Sequence, residues 1–135
     1  MTLSALIHDW NRSEGEPPAA RRPQLLDETL RDGLQSPSVR DPEIAAKRDL
    51  LHRLAGMGID SVDLGMPGAG PGAAAAVKAL MIEIRDHRLP IVPNSAVRTV
   101  EADLVFLADV QQKVGLPLEA GAFLGSSPVR MGAEG

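Results

Sequence analysis

The sequence predicts an α/β fold of about four parallel strands with three intervening helices, on three observations. Short apolar runs begin near Leu25, Ile59, Leu89 and Leu116, a recurrence of about 30 residues, the length of a strand plus its crossover helix. Each of the first three runs leads into a stretch of helical periodicity. The resulting order, β-α-β-α-β-α-β, favours a parallel sheet with right-handed crossovers. Polar clusters follow the strands, at residues 27–35, 63–72, 94–98 and 125–130, where parallel sheets carry their chemistry.

Residues 1–23 read as a flexible leader outside this rhythm, because Ser13-Glu14-Gly15-Glu16-Pro17-Pro18 is polar and turn-rich. Residues 24–135 form the domain. After the first strand, Asp41-Pro42-Glu43 announces a helix: Asp as cap, Pro in the first turn, Glu at the positive end of the dipole. Ile44, Leu51, Leu54 and Ala55 share its apolar face, and Gly56 and Gly58 stop it. The second helix starts near Pro71. Ala73, Ala76, Val77, Leu80, Met81 and Ile84 recur at helical spacing, and it ends around His87, ahead of Pro90. The third helix takes Thr99 as its cap, with Leu104, Leu107, Ala108 and Val114 as its apolar face and Gly115 as its stop. Residues 118–124 make the fourth strand, and Ser127-Pro128 would open a fourth helix.

The composition excludes several function classes. The formal net charge is −4, and no basic patch announces nucleic acid. With Trp10, Phe106 and Phe123 as the whole aromatic set, base-stacking platforms are implausible and the core must be aliphatic. There is no Cys, so disulfides and thiolate metal sites are excluded. No run approaches the roughly 18 apolar residues of a membrane span, and no basic-then-apolar secretory signal opens the chain. A cytoplasmic address is the expectation.

The informative stretch is Leu26-Asp27-Glu28-Thr29-Leu30-Arg31-Asp32-Gly33-Leu34-Gln35-Ser36-Pro37. It places a carboxylate beside a guanidinium just past a strand. Such a carboxylate can ligate a hard divalent cation, and the Arg can neutralise an oxyanion held against it. A lone Arg-Asp-Gly is more simply a surface turn flanked by ordinary charges, and residue chemistry alone does not overturn that reading.

The whole run, however, resembles the signature of the DRE-TIM metallolyase superfamily, which contains 2-isopropylmalate, homocitrate and citramalate synthases and 3-hydroxy-3-methylglutaryl-CoA lyase. The synthases commonly read Asp-Thr-Thr-Leu-Arg-Asp-Gly-Glu-Gln-Ser-Pro, and the lyases commonly carry Arg-Asp-Gly-Leu-Gln. This sequence mixes the two, with Leu34 in the lyase-like position and Glu28 in place of the usual Thr. The resemblance covers residues 24–135. It implies the N-terminal half of a TIM (β/α)8 barrel of the pyruvate carboxyltransferase type, since a closed barrel typically takes about 250 residues and this chain has 135.

The resemblance also implies residue roles. Asp32 becomes a metal ligand, Arg31 the catalytic cation beside it, and Gln35 a neighbour of the substrate. Asp63 stands where the family usually has Glu. It would orient Arg31 or tune substrate protonation, although Asp is one methylene shorter; a solvent-facing Asp at a strand end is the equal alternative. Arg98 would bind a substrate carboxylate, or be a solvated Arg beside a helix cap. Gly121-Ala122-Phe123-Leu124-Gly125-Ser126-Ser127-Pro128 resembles the fourth strand of the synthase branch, with Ser126 as the pocket hydroxyl and Ser127 as a helix cap. The glycine-rich run from Gly65 to Gly72 reads first as a loop over the barrel mouth and second as an anion site at a helix N-terminus. It matches neither the Walker nor the dinucleotide pattern. His8, His52 and His87 are scattered and are not assigned to a metal.

The function implied is a metal-dependent (Mg, Mn or Zn) Claisen-type condensation of acetyl-CoA with a 2-oxo acid, in which the metal acts as Lewis acid and template. A His-x-His pair on a later strand completes the family's metal shell, and no such pair occurs among these residues. A fragment with little turnover of its own is therefore the expectation. The alternatives are a lyase that cleaves a 3-hydroxyacyl-CoA, a non-catalytic half-barrel pairing with itself or a complementing half, and a small open-sheet domain whose glycine loop holds an anion. No nucleic-acid or membrane partner is expected.

Overall fold

The computed structural model describes residues 22–125. They form four strands, β1 (Leu26–Asp27), β2 (Ser61–Asp63), β3 (Val92–Val97) and β4 (Glu119–Ala122), separated by helices α1 (Ile44–Met57), α2 (Pro71–His87) and α3 (Glu101–Val114). All three pairings are parallel and the strand order is β1-β2-β3-β4. Each strand thus lies beside its predecessor, the arrangement that a singly wound barrel repeats around its axis. A doubly wound open sheet reverses its order at a switch point, and no reversal occurs among the described strands. The fold is a partial TIM-barrel arc whose sheet is not closed, as the sequence predicts.

One aliphatic core joins sheet and helices. Leu51, Val62, Val77, Leu80 and Met81 are fully buried, with Leu54, Leu64, Ile84, Ile91, Val110 and Val114 packed among them. Full burial of each large aliphatic side chain contributes about 1.5–3 kcal/mol. Because Val62 belongs to this core, its strand neighbours Ser61 and Asp63 point to the opposite face of the sheet. That face is sparsely covered: Leu26 and Val92 remain about half exposed.

β1 has only two paired residues and leans on Asp60 for its anchorage. The Asp60 carboxylate accepts the Leu25 amide at 2.9 Å and Arg22 Nη2 at 3.1 Å. Arg22 and Pro23, placed in the leader by the sequence reading, are thus at the start of the described fold; residues 1–21 lie outside it.

Several element ends differ from the sequence expectations. Glu43, not Asp41, occupies the N-cap of α1, and it makes no side-chain capping bond. Asp41 instead holds Lys47 Nζ at 2.6 Å, so its charge meets a nearly buried ammonium rather than backbone amides. Gly56 sits within α1, and Gly58 alone ends it, in the left-handed conformation that glycine adopts without strain. Val100, not Thr99, is the N-cap of α3.

The rotation of α3 is a larger correction. Its buried line is Asp103, Leu107, Val110 and Val114, while Leu104 and Ala108 face outward. A polar residue joins the inner line because Asp103 has a fixed partner there, described below. The fourth strand is shorter than expected, and Phe123 and Leu124 beyond it are exposed.

Candidate active site

The turn after β1 is built to present charge. The Asp27 carboxylate accepts both the Thr29 amide and the Thr29 hydroxyl, each at 3.0 Å. The Glu28 carbonyl accepts the amides of Arg31, Asp32 and Gly33. The chain therefore curls tightly at the C-terminal end of the strand, and a 3-10 turn, Gly33–Gln35, continues the curl. Leu30 anchors it in the core.

Arg31 is the hub of this region. Its Nε donates to Asp63 Oδ2 at 2.9 Å, its Nη1 to Asp32 Oδ1 at 3.1 Å, and its Nη2 to Glu28. Three carboxylates surround one guanidinium, a local surplus of two negative charges. Asp63 is the buried member, 3% exposed. It also accepts the Gly65 amide at 3.0 Å and, more weakly, the Ala96 amide at 3.4 Å. Its orientation is thus set by β2, β3 and the following loop together. Asp32 is the open member, its side chain 66% exposed, and only its Oδ1 is engaged among the described residues.

A cavity of about 290 Å³ opens beside this cluster. Arg31, Leu34, Gln35, Leu64, Met66 and Ala73 contribute to its lining. Gln35, singled out by sequence, therefore shares a wall with Arg31, and Leu34 supplies apolar surface where synthases commonly carry Glu.

Arg98 follows β3, as the sequence reading has it, and is tied to α3. Its Nε and Nη2 form a two-pronged bond to Asp103, at 2.9 and 2.8 Å, and its amide adds a third at 3.1 Å. These bonds hold the Asp103 carboxyl below its usual pKa against the opposing effect of burial, and raise that of Arg98. Gly68 packs against the pair: a Cβ there would lie 2.8 Å from Asp103 Oδ2 and 2.9 Å from Arg98 Nη2. The loop from Gly65 to Gly72 is thus shaped by close approach to this ion pair. It contains a 3-10 turn, Pro67–Ala69, before α2 begins.

Asp63 does reach Arg31, and the shorter side chain suffices because the Arg31 Nε, rather than its far end, meets it. Arg31 brings Asp32 and Asp63 together by hydrogen bonds, and Gln35 shares only the cavity wall with Arg31; Arg98 lies at the end of the next strand, and Ser126 lies outside the described residues. Two acids were missed as participants. Glu28 was noted only as a departure, although an acid three residues before an Arg is a legible pairing signal. Asp103 was hidden because an acid in the first turn of a helix ordinarily faces solvent.

Comparison with known proteins bears on this arrangement. A profile of the HMGL-like family matches residues 22–114. The 2-isopropylmalate synthase of Pyrococcus furiosus is 30% identical over 94 residues, covering 70% of this chain and 19% of the relative. That of Heliobacterium modesticaldum is 29% identical over 112 residues, covering 83% and 21%. That of Synechococcus sp. CC9605 is 35% identical over 85 residues, covering 63% and 15%. The match spans between 15% and 21% of the length of these relatives.

Proposed function

The chain belongs to the HMGL-like family, and from that premise we propose that it carries one part of the active site of a 2-isopropylmalate synthase-like acyltransferase. The reaction is the metal-dependent condensation of acetyl-CoA with a 2-oxo acid. The Arg31–Asp63 bond carries this reading, because it fixes a guanidinium beside the open carboxylate of Asp32 at the C-terminal ends of β1 and β2.

The residues present fit a divalent metal in part. Asp32 is exposed, carboxylic and has one oxygen without a hydrogen bond among the described residues, so it suits one position of a Mg, Mn or Zn shell. Among the described residues no group of three or more His, Cys, Asp or Glu ligand atoms gathers around it. The remaining ligands would come from further chain. A metal bound there would supply Lewis-acid polarisation of the 2-oxo acid.

The protein's own groups have defined tasks. Arg31 has five N–H donors and spends three on Asp63, Asp32 and Glu28. Two remain for an oxygen that gains negative charge as the acetyl carbon adds. Asp63 is a positioning residue for Arg31. Among the described residues Arg98 Nη1 makes no hydrogen bond, and Arg98 is assigned the substrate carboxylate; Gln35 and Ser126 are assigned to substrate binding. Residues 24–135 are assigned to the N-terminal half of the barrel domain, and Arg22 and Pro23 join it rather than the leader. The exposed Leu26, Val92 and Phe123 support a further layer of chain or a complementing half against the sheet.

A lyase reading is favoured by one feature, the apolar Leu34 in the cavity wall. Among the described residues no helix is long and apolar enough to cross a membrane.

The test is a chimaera in which residues 24–125 replace the matching segment of the Pyrococcus furiosus synthase. Thiol release from acetyl-CoA with 2-oxo acids and Mn²⁺ is expected, falling by about 100-fold in Arg31→Lys. The 135-residue polypeptide alone should give little. Robust thiol release by the polypeptide alone, or an active chimaera indifferent to Arg31→Lys, would overturn the reading. Cleavage of a 3-hydroxyacyl-CoA without condensation would transfer it to the lyase branch.

A further inference from the structure

Two histidines that the sequence leaves scattered meet on the outer side of the helical layer. His52 projects from α1, and Glu83 and His87 from α2 at i, i+4 spacing, which places them on one face. Glu83 Oε1 lies 2.8 Å from His52 Nε2 and 3.2 Å from His87 Nε2. One ligand atom from each residue lies within 4.8 Å of the other two. Glu83 is the inner member, its side chain 15% exposed, and the imidazoles are open at 41% and 57%.

We propose that His52, Glu83 and His87 form a second metal site, selective for Zn²⁺-like cations, that clips α1 to α2. The donor set, two imidazoles and one carboxylate, suits a borderline cation and leaves a fourth position for water. Tetrahedral Zn²⁺ with bonds of 2.0–2.1 Å sets its ligand atoms about 3.3 Å apart. The contacts of Glu83 Oε1 at 2.8 and 3.2 Å would open slightly, and the two imidazole nitrogens, within 4.8 Å of each other, would close toward that spacing by side-chain rotation at the surface.

Without metal, His52 Nε2–H donates to Glu83 Oε1, while His87 Nε2 lies 3.2 Å from the same oxygen without a hydrogen bond to it. With metal, each imidazole would offer its Nε2 lone pair and keep its proton on Nδ1. Hydrogen bonding from His52 holds the Glu83 carboxyl below its ordinary pKa, with His87 and Arg48 acting in the same direction. Arg48 Nε, 3.3 Å from Glu83 Oε2, restrains the other carboxylate oxygen. It is also the single buried side-chain nitrogen or oxygen without a hydrogen bond among the described residues.

The position separates this site from the one around Asp32. Helices run back against the strands in a βα unit, so the C-terminal end of α2, where His87 sits, lies toward the start of the strands. A metal there would brace the scaffold rather than meet substrate.

The experiment titrates Zn²⁺ into the chelator-stripped full chain by calorimetry, with Co²⁺ absorption as a readout of coordination geometry. One equivalent is expected, with a tetrahedral Co²⁺ spectrum and a raised Tm. His52→Gln and His87→Gln should each weaken binding by about 10-fold or more, the double variant should abolish it, and Asp32→Asn should leave it intact. Circular dichroism verifies that each variant stays folded, and Glu83→Gln, which keeps the side-chain shape, supplies an independent loss. Absence of binding by the unaltered chain overturns the proposal. So does binding that survives in the double variant, or that is lost in His8→Gln or Asp32→Asn.

Discussion

Asp63 grips Arg31 through Nε, at 2.9 Å, from a position almost closed to solvent. The contact joins residues 32 apart in sequence and ties the turn after β1 to the end of β2. It determines which way the guanidinium faces, and with it the relation between Arg31 and Asp32.

Asp63→Ala should therefore cost stability as well as orientation. It removes the acceptor for Arg31 and for the Gly65 and Ala96 amides. A loss of about 2–3 kcal/mol is expected, because buried donors are left without a partner. Urea denaturation of the full chain measures it; an unchanged midpoint would mean the contact is not formed.

Gly68→Ala should destabilise although the residue is exposed. The new Cβ would fall 2.8 Å from Asp103 Oδ2 and 3.0 Å from Oδ1, and Asp103 is held by three bonds from Arg98. About 1 kcal/mol or more of overpacking is expected. In a double-mutant cycle with Asp103→Ala the two changes should be non-additive, since the second removes the obstacle met by the first. Simple additivity would show that the loop approaches something else.

The Arg98–Asp103 pair should leave a signature on the acid limb of stability. The folded-state pKa of Asp103 is depressed, with the hydrogen bond from Arg98 as the largest cause. Its stabilisation is thus fully present above the unfolded value of about 3.9 and is lost as pH falls through the folded value. The urea midpoint of the unaltered chain relative to Asp103→Asn should be constant near neutrality and shrink below about pH 4. A difference that grows with acidity would have the wrong sign for this pairing.

The facing of α3 separates two leucines three residues apart. Leu107 is 4% exposed and Leu104 is 45% exposed. Leu107→Ala should cost about 2–5 kcal/mol, whereas Leu104→Ala should stay within about 0.5 kcal/mol, as surface changes usually do. Thermal unfolding of the two variants gives the comparison, and equal losses would refute the observed rotation.

The α/β class, the four strands and their parallel order were legible because each apolar run and each helical period is local. Pro71 at the start of α2 and Gly58 and Gly115 at the ends of α1 and α3 act through their own backbone, so a linear reading finds them. The signature around Arg31 and Asp32 was legible for the same reason: its residues are contiguous and sit on one turn.

What the sequence left open were choices between partners distant along the chain. Asp41 takes Lys47 rather than capping α1, and Asp103 is buried because Arg98 waits for it. Asp63 meets Arg31 instead of solvent, and His52 meets Glu83 and His87. In each case a charged or imidazole group has several chemically adequate partners, and hydrophobic periodicity says nothing about which is nearest. Tertiary packing decides, since it alone sets the register between strands and the facing of each helix, and ion pairing acts over only a few ångströms.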